Sequence, residues 1–346
     1  MAAQGPIRLV GGTGSPYTQK MVALLRYRHV PYAVTWGQPD QVCDALGVEK
    51  PKPIFMPTFF FEEADGTHAV CDSTPIIRRL EEMYPGRSVL PKDPALAFID
   101  YLIEDFADEW CTKYMFHYRW YFEADIDNAG NLLPLGFDVS MAPEQLAQMK
   151  NWVVEKQTSR LYVVGSNDTT APVIDASYRR FLQAMEDHLA NQKFMLGARP
   201  GAGDFGLYGQ LTQLVGFDST PRNITHEVSL RTVAWVDHMD DQSGLEPDEQ
   251  DWVSLNEQPD SLRGLMAEIG RVYAPAQLAN ARAVAAGEKT WEAEIDGAQW
   301  TQRTFPYQAK CLQWTNERYR ALSEVDRASI DALLQGTGVE IMLSLA

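Results

Sequence analysis

Residues 7–16 have the sequence IRLVGGTGSP, in which an apolar run is followed by a glycine-rich turn and then by serine and proline. The run Ile7–Val10 is typical of a short buried strand. Ser15 and Pro16 favour the start of a helix, because proline suits the first helical position, where its missing N–H needs no partner. The segment therefore predicts a strand, a tight turn and a helix in direct succession.

The same alternation of strands and helices continues to about residue 87. Further elements are predicted as strands at Tyr32–Trp36, Thr58–Phe61 and His68–Val70, and as helices at Pro39–Leu46 and from Ser73 onward. The resulting order, β-α-β-α-β-β-α, predicts a small α/β layer with a mixed sheet, because parallel pairs joined by helices are followed by a hairpin.

Helical patterns replace this alternation after the segment Pro85–Pro94, whose prolines are typical of a linker. A long helix that contains Phe98, Leu102 and Phe106 is predicted to end near Phe122. Further helices are predicted at 143–163, 172–191, 203–216 and 226–239, with an irregular loop over 124–142.

The last hundred residues add a different pattern. A helix is predicted to begin at Leu262, and Asp296-Gly297 within Thr290–Arg303 indicates a β-hairpin, because Asp-Gly is a strong two-residue hairpin turn. Ser323 to Asp326 resembles a capping box before a final helix. The predicted organisation is an α/β domain over 1–87, an all-helical domain over 94–245, and an extension over 246–346 packed on the helical domain.

Composition excludes some classes of function. The 30 basic and 47 acidic residues give a net charge of −17, which opposes a general nucleic-acid or anionic-membrane role. No stretch resembles a secretory signal or a run of 18 apolar residues. The four cysteines are dispersed without a C-x-x-C pair, so we expect neither a zinc site nor a disulfide framework, and we expect a reducing, cytoplasmic location.

The glycine-rich turn does not fit a dinucleotide-binding motif. Aligning G-x-G-x-x-G on Gly12 and Gly14 requires a third glycine at the position of Tyr17. Trp36 and Gly37 stand where the acidic residue of that motif is expected. Ser15 instead lies at a helix N-terminus, where free N–H groups and the helix dipole stabilise an anion such as a thiolate. Serine at this position could also act only as an N-cap.

Two further segments suggest a ligand site. Pro57 directly precedes the predicted strand Thr58–Phe61, which is a position where proline is tolerated. A cis Met56–Pro57 bond would turn the Met56 backbone toward a ligand. Asp72 and Ser73 precede a helix, where an amino-acid head group could place its carboxylate on N–H groups and Ser73, and its ammonium on Asp72. Helix capping alone could also account for this pair.

Taken together, these segments resemble the glutathione transferase superfamily over roughly residues 6–240. Gly14 to Lys20 resembles its serine-type active-site segment, and Gly197 to Phe205 resembles the segment that begins the central helix of its helical domain, with Asp204 at the buried aspartate. The resemblance implies a thioredoxin-like α/β domain followed by an all-α domain, with the extension as an addition. It departs from the family in having Asp72 for the usual glutamate and Gly201 for the usual serine or threonine.

The resemblance also implies a function and a set of site residues. Ser15 would activate the thiol of glutathione as a co-substrate, with Tyr17 as the alternative catalytic residue. The remaining implied residues are, for glutathione, Lys52, Met56, Pro57, Asp72 and Ser73, and, for an apolar electrophile, Tyr118, Trp120 and Tyr121. Packing in the core could also account for this aromatic run. A homodimer and the absence of a metal are implied as well.

Three functions follow as hypotheses. The first is a glutathione transferase that attacks a small apolar electrophile. The second is a protein of the same fold that binds ligands or partners without turnover, which the shorter Asp72 side chain and the long extension also fit. The third, a thiol–disulfide oxidoreductase, is disfavoured because serine stands at position 15, whereas exchange requires a sulfur nucleophile.

Overall fold

The computed structural model describes residues 5–343. Its first part consists of the elements β1 (Ile7–Gly11), α1 (Pro16–Tyr27), β2 (Tyr32–Trp36), α2 (Pro39–Leu46), β3 (Thr58–Glu63), β4 (Gly66–Val70) and α3 (Ser73–Met83). The four strands form one mixed sheet in the order β2-β1-β3-β4. Strand β1 is parallel to β2 and antiparallel to β3, and β3 is antiparallel to β4. The predicted thioredoxin-like α/β fold is confirmed.

The register of this sheet brings three segments to one edge. Val10 near the end of β1 faces Thr58 at the start of β3. Phe59, the next residue of β3, faces Val70 at the end of β4. Because β3 runs antiparallel to both neighbours, the turn after β1, the segment before β3 and the segment after β4 all lie at the same edge.

The second part is helical. It contains α4 (Pro94–Phe106), α5 (Thr112–Tyr121), α6 (Glu123–Leu135), α7 (Pro143–Thr158), α8 (Ala171–Leu189), α9 (Ala202–Leu211), α10 (Ser219–Val228) and α11 (Leu230–Met239). A π-helical turn at Ala107–Cys111 joins α4 to α5, and another at Thr212–Phe217 extends α9. No helix within residues 5–343 is both long and apolar enough to cross a membrane.

The loop predicted over 124–142 is wrong, because helix α6 occupies most of it. Gly130 and Pro134 lower the helical propensity of this segment. Packing reverses that preference. A Cβ on Gly130 would lie 2.8 Å from the Val154 side chain, so the glycine lets α7 approach closely. The Asp125 carboxylate near the start of α6 accepts hydrogen bonds from Ser219 and from the Thr220 N–H.

The buried aspartate of α9 explains how a helix can begin with glycine. Asp204 accepts hydrogen bonds from the N–H groups of Gly201 and Met195, each at 2.9 Å. The Asp100 carboxylate of α4 accepts the N–H of Gly203 at 2.9 Å, the bond that a serine at position 201 would otherwise supply. A Cβ on Gly201 would lie 2.2 Å from that carboxylate, so a side chain at position 201 would require the Asp100 carboxylate to move.

The extension consists of further helices and the predicted hairpin. Its elements are α12 (Ser261–Glu268), α13 (Ala274–Ala285), β5 (Thr290–Ile295), β6 (Ala298–Arg303), α14 (Pro306–Ala321), α15 (Glu324–Leu334) and α16 (Glu340–Leu343). Strands β5 and β6 pair around Asp296-Gly297, and Ser323 caps α15 by accepting the Asp326 N–H. Trp300 of β6 packs against Trp110, with 5.5 Å between ring centroids. The apolar core is therefore continuous between the helical part and the extension.

Asp105 of α4 accepts a hydrogen bond at 2.6 Å from the Tyr273 hydroxyl, where the extension packs on the helical part. Burial raises the pKa of Asp105 from 3.8 to about 7, although the Tyr273 bond opposes the shift. The native state therefore binds a proton that the unfolded chain releases at lower pH. This contribution to stability is complete below about pH 3.8 and is lost as the pH rises through about 7.

As the pH rises from 4 to 7, we therefore expect the free energy of unfolding of Asp105→Asn to fall less than that of the wild type. The difference is up to about 1.4 kcal/mol for each pH unit between the two pKa values. Urea unfolding at a series of pH values measures the slope. The matched control is Asp168→Asn, an exposed aspartate that accepts the Tyr121 hydroxyl and whose loss should leave the wild-type slope. Equal slopes for all three proteins would contradict the prediction.

Candidate functional site

Ser15 lies between the turn after β1 and helix α1. Its Oγ accepts a hydrogen bond from the Thr18 N–H at 3.2 Å, so the N-cap role considered above is present. Its N–H donates to the Gly12 carbonyl, which closes the turn. A hydroxyl carries one donor and two lone pairs. Within residues 5–343 the Ser15 hydroxyl donates to no acceptor, so its proton is available to an incoming group.

The turn before Ser15 is held by the helical part of the chain. Arg119 of α5 donates to the Gly14 carbonyl at 2.9 Å. The same guanidinium forms a buried ion pair with Asp218 at 2.9 Å and donates to the Gln213 side chain. Gln213 in turn donates to the Thr13 carbonyl. These long-range contacts fix the carbonyl groups that precede Ser15, and the sequence analysis did not identify them.

Tyr17, the alternative catalytic residue, points away from this turn. Its hydroxyl donates to the Asp108 backbone carbonyl at 2.7 Å. Burial raises the pKa of Tyr17 well above its usual range, and nearby Asp108 and Glu109 raise it further. A tyrosine in this environment stays protonated and already has an acceptor.

The segment before β3 has two cis bonds, at Lys52–Pro53 and at Met56–Pro57, as the sequence allowed for the second. The Met56 sulfur lies 3.4 Å from the position that a Cβ on Gly12 would occupy, so Met56 adjoins the turn of Ser15. Lys52 is exposed in the same segment. Cys71, at the end of β4, donates its thiol to the Pro53 carbonyl at 3.2 Å.

Asp72 and Ser73 lie at the start of α3, at the same sheet edge. Asp72 has a φ of +90°, a backbone conformation that L residues rarely adopt, and its side chain makes no capping bond to α3. Its carboxylate accepts the Tyr307 hydroxyl at 2.6 Å. Ser73 is buried, and its hydroxyl accepts a hydrogen bond from the Lys20 ammonium at 3.0 Å.

Lys20 is the centre of a buried ionic network. Its ammonium lies 2.9 Å from Glu104 and 2.7 Å from Asp108, and its side chain is 1% exposed. Burial lowers the pKa of Lys20, but Asp108 and Glu104 outweigh burial, so the net pKa is raised and the group stays charged. Since Lys20 belongs to the helix that Ser15 caps, this network links α1 to α3 and α4.

The aromatic residues predicted to bind an electrophile lie elsewhere. Tyr118 is fully buried, donates its hydroxyl to Asp175 at 2.7 Å and packs against Tyr178. Trp120 is also buried, and Tyr121 donates to Asp168. We therefore correct the prediction: Tyr118 and Trp120 are buried, Tyr118 against α8, and none of the three residues lines either of the two cavities described below.

An apolar surface does adjoin the turn, and helix α6 provides it. A cavity of about 380 Å³ has walls formed by Thr13, Leu132, Leu135, Gly136, Val139 and Phe217. The neighbouring side chains of Leu133 and Phe137 lie against Gly14 and Gly12, respectively. The available signal was the leucine-rich sequence that ends at Phe137, which the loop prediction set aside.

A second cavity, of about 420 Å³, shares Thr13 and Phe217 with the first. Its other walls include Gln19 of α1, Asp237 of α11 and Asp240, which directly follows α11. The turn of Ser15 is thus flanked by an apolar cavity on the α6 side and a more polar one on the α11 side. Both lie between the α/β part and the helical part.

One part of the chain is similar to a known protein family. Residues 9–88 match the family model described as the glutathione S-transferase N-terminal domain. This part of the chain is similar to the N-terminal domain of glutathione S-transferases. Its sheet edge carries Ser15, Met56, Asp72 and Ser73. No curated protein matches the chain.

Solved structures of glutathione S-transferases are similar to the chain. A glutathione S-transferase of Ceriporiopsis subvermispora in complex with glutathione is 16% identical, with 68% of this chain and 98% of that chain covered and a TM-score of 0.44. A GST-like protein from Pseudomonas syringae is 14% identical, with 68% and 67% covered and a TM-score of 0.43. A glutathione S-transferase from Rhodospirillum rubrum is 15% identical, with 75% and 91% covered and a TM-score of 0.40.

We expect Arg119→Met to destabilise the protein by about 3–5 kcal/mol, because it leaves the buried Asp218 carboxylate without its cation. Urea unfolding measures the change. The control is Arg179→Met, which removes a surface arginine paired with Asp175 and Glu227 and should cost about 0–1 kcal/mol. Similar losses in the two variants would show that the Arg119 pair does not stabilise the fold.

Proposed function

We propose that the protein is a glutathione transferase-like enzyme in which Ser15 activates the thiol of glutathione. The observation that carries the proposal is the state of the Ser15 hydroxyl. It accepts the Thr18 N–H and keeps its own proton for another acceptor, at the N-terminus of α1 in a glutathione S-transferase domain. A thiolate placed there receives a hydrogen bond and the favourable end of the helix dipole, both of which lower the thiol pKa.

The remaining residues at the sheet edge would hold the tripeptide. The Met56 backbone beside Pro57 would pair with the cysteinyl residue, and the exposed Lys52 would meet the glycyl carboxylate. Ser73 accepts a hydrogen bond from Lys20, so its own proton can be donated to the γ-glutamyl carboxylate. Asp72 would receive the γ-glutamyl ammonium. The charge of Lys20 behind Ser73 favours the same carboxylate.

The electrophile would lie against α6. The walls of the 380 Å³ cavity are mostly apolar and adjoin the turn of Ser15, which suits a small apolar molecule. With an aryl halide the thiolate attacks the ring carbon, a carbon–sulfur bond forms and the halide leaves with the electrons of the broken carbon–halogen bond. The thiol proton passes to solvent. A homodimer and a cytoplasmic location are proposals that rest on the resemblance alone.

We expect Ser15→Ala to lose most of the rate of glutathione conjugation to a small aryl halide, at least about tenfold in kcat/KM, because the thiolate loses its hydrogen bond. The substitution also removes an N-cap, which costs about 1 kcal/mol of stability. Ser323→Ala is the matched control, because Ser323 caps α15 in the same way. It should lose similar stability and keep full activity.

The same assay separates Ser15 from Tyr17. Tyr17→Phe should retain conjugation, since the Tyr17 hydroxyl is bound to the Asp108 carbonyl. Full activity in Ser15→Ala would remove Ser15 from the mechanism, and loss of activity in Tyr17→Phe at unchanged stability would give Tyr17 a role in it.

A substitution in α6 tests the proposed electrophile surface. We expect Leu132→Asn to raise KM for the aryl halide several-fold and to leave KM for glutathione unchanged, because a polar side chain weakens an apolar wall by about 1–3 kcal/mol. Leu230→Asn changes an exposed leucine that lines neither cavity and should leave both constants unchanged. An unchanged KM in the Leu132 variant would place the electrophile elsewhere.

Two observations favour the alternative of a binding protein without turnover. The side chains of Leu133 and Phe137 already lie against Gly14 and Gly12, and the Tyr307 hydroxyl already occupies one oxygen of Asp72. Calorimetry distinguishes the two functions. Glutathione binding together with conjugation supports the enzyme, whereas binding without conjugation of any tested electrophile supports the alternative.

A further inference from the structure

The start of helix α14 in the extension meets the proposed amino end of the glutathione site. The Tyr307 hydroxyl donates to Asp72 Oδ2 at 2.6 Å across 235 residues of sequence. Within residues 5–343 this is the one hydrogen bond that the Asp72 side chain makes. The second carboxylate oxygen, Oδ1, is therefore left for a ligand.

Several contacts fix the position of Tyr307. The backbone of Phe305, two residues earlier, exchanges a pair of hydrogen bonds with the Asn280 side chain of α13, at 2.7 and 2.9 Å. Gln308, the next residue, donates to Glu109 at 3.0 Å. The ring of Tyr307 packs edge-on against Trp314, with 6.0 Å between centroids. The contact with Asp72 is thus anchored on both sides along the chain.

The charge around Asp72 favours a cation. Asp108 is 8% exposed, and its Oδ1 is buried without a hydrogen-bond partner. Asp108 Oδ2 is paired with the Lys20 ammonium at 2.7 Å. Burial raises the pKa of Asp108, and the charge of Asp72 raises it further, so the two carboxylates lie within electrostatic reach of each other. An ammonium at the free oxygen of Asp72 would relieve this repulsion.

We propose that Tyr307 is a positioning residue that orients Asp72 toward the ammonium of the γ-glutamyl group, so that the site selects thiol peptides with a free α-amino group. The proposal rests on the proposed function, because it requires Asp72 to bind glutathione. Without the Tyr307 hydroxyl, Asp72 has no side-chain partner to hold its rotamer. A ligand that lacks the amino group leaves the Asp72 carboxylate without a cation, and an unpaired polar group of this kind discriminates strongly between ligands.

Calorimetric titration with two ligands tests this inference. The ligands are glutathione and its analogue glutaryl-cysteinyl-glycine, which lacks only the α-amino group. We expect the wild type to bind glutathione at least about tenfold more tightly than the analogue. Tyr307→Phe should lower the affinity for glutathione by about tenfold and leave the affinity for the analogue within about twofold of the wild-type value, because only the amino group is bound by Asp72.

Tyr319→Phe is the matched control. Tyr319 belongs to the same helix, packs against Phe98 and donates its hydroxyl to Asp331, so the variant also loses one tyrosine–aspartate bond. Both affinities should stay at their wild-type values in this variant. In steady-state kinetics, Tyr307→Phe should raise KM for glutathione more than it lowers kcat, since Tyr307 does not touch the sulfur.

The possible failures are distinct. Equal weakening of both ligands in Tyr307→Phe would mean that Tyr307 only supports the fold, and unchanged glutathione affinity would mean that it has no role in binding. Either result overturns this inference and leaves Ser15 and the proposed function intact. If the wild type binds no glutathione, the proposed function fails and this inference fails with it.

Discussion

The buried ammonium of Lys20 is the interaction on which the rest of the structure depends. One cation on α1 meets Ser73 at the start of α3 and two carboxylates on the first long helix of the helical part. Removing three charged groups from water is costly, so such a network persists only when each charge is paired. The pairing requires Lys20 of the α/β part to meet Glu104 and Asp108 of the helical part. It thereby holds the sheet edge that carries Ser15 against the helical part.

The turn of Ser15 is positioned from both sides of this contact. Lys20 holds the helix that follows Ser15, and Arg119 holds the carbonyl that precedes it. The cap at Ser15 is therefore set by two buried cations that belong to different layers. These contacts fix the backbone on both sides of Ser15. Preorganised hydrogen-bond donors of this kind are what stabilise a developing anion.

The sequence predicted the parts of this structure that depend on local pattern. The strand and glycine turn before Ser15 and the hairpin at Asp296-Gly297 follow from spacing and turn chemistry, and the structure contains both. Helix α6 was missed because Gly130 and Pro134 oppose a helix locally, and only the approach of α7 explains the glycine. Arg119 and Tyr307 could not be predicted, because their partners lie 105 and 235 residues away. Tyr118 and Trp120 were predicted to face a substrate but are buried, because an aromatic run does not reveal which of its side chains the rest of the protein covers.

The carboxylate of Asp100 has a consequence for how this chain can vary. It occupies the space of a side chain at Gly201 and also supplies the hydrogen bond that such a side chain would make. The two positions are therefore alternative solutions to one problem, and a change at either alone leaves a clash or an empty space at the start of α9. A serine at position 201 would therefore require either that the Asp100 carboxylate move away or that position 100 carry a smaller side chain.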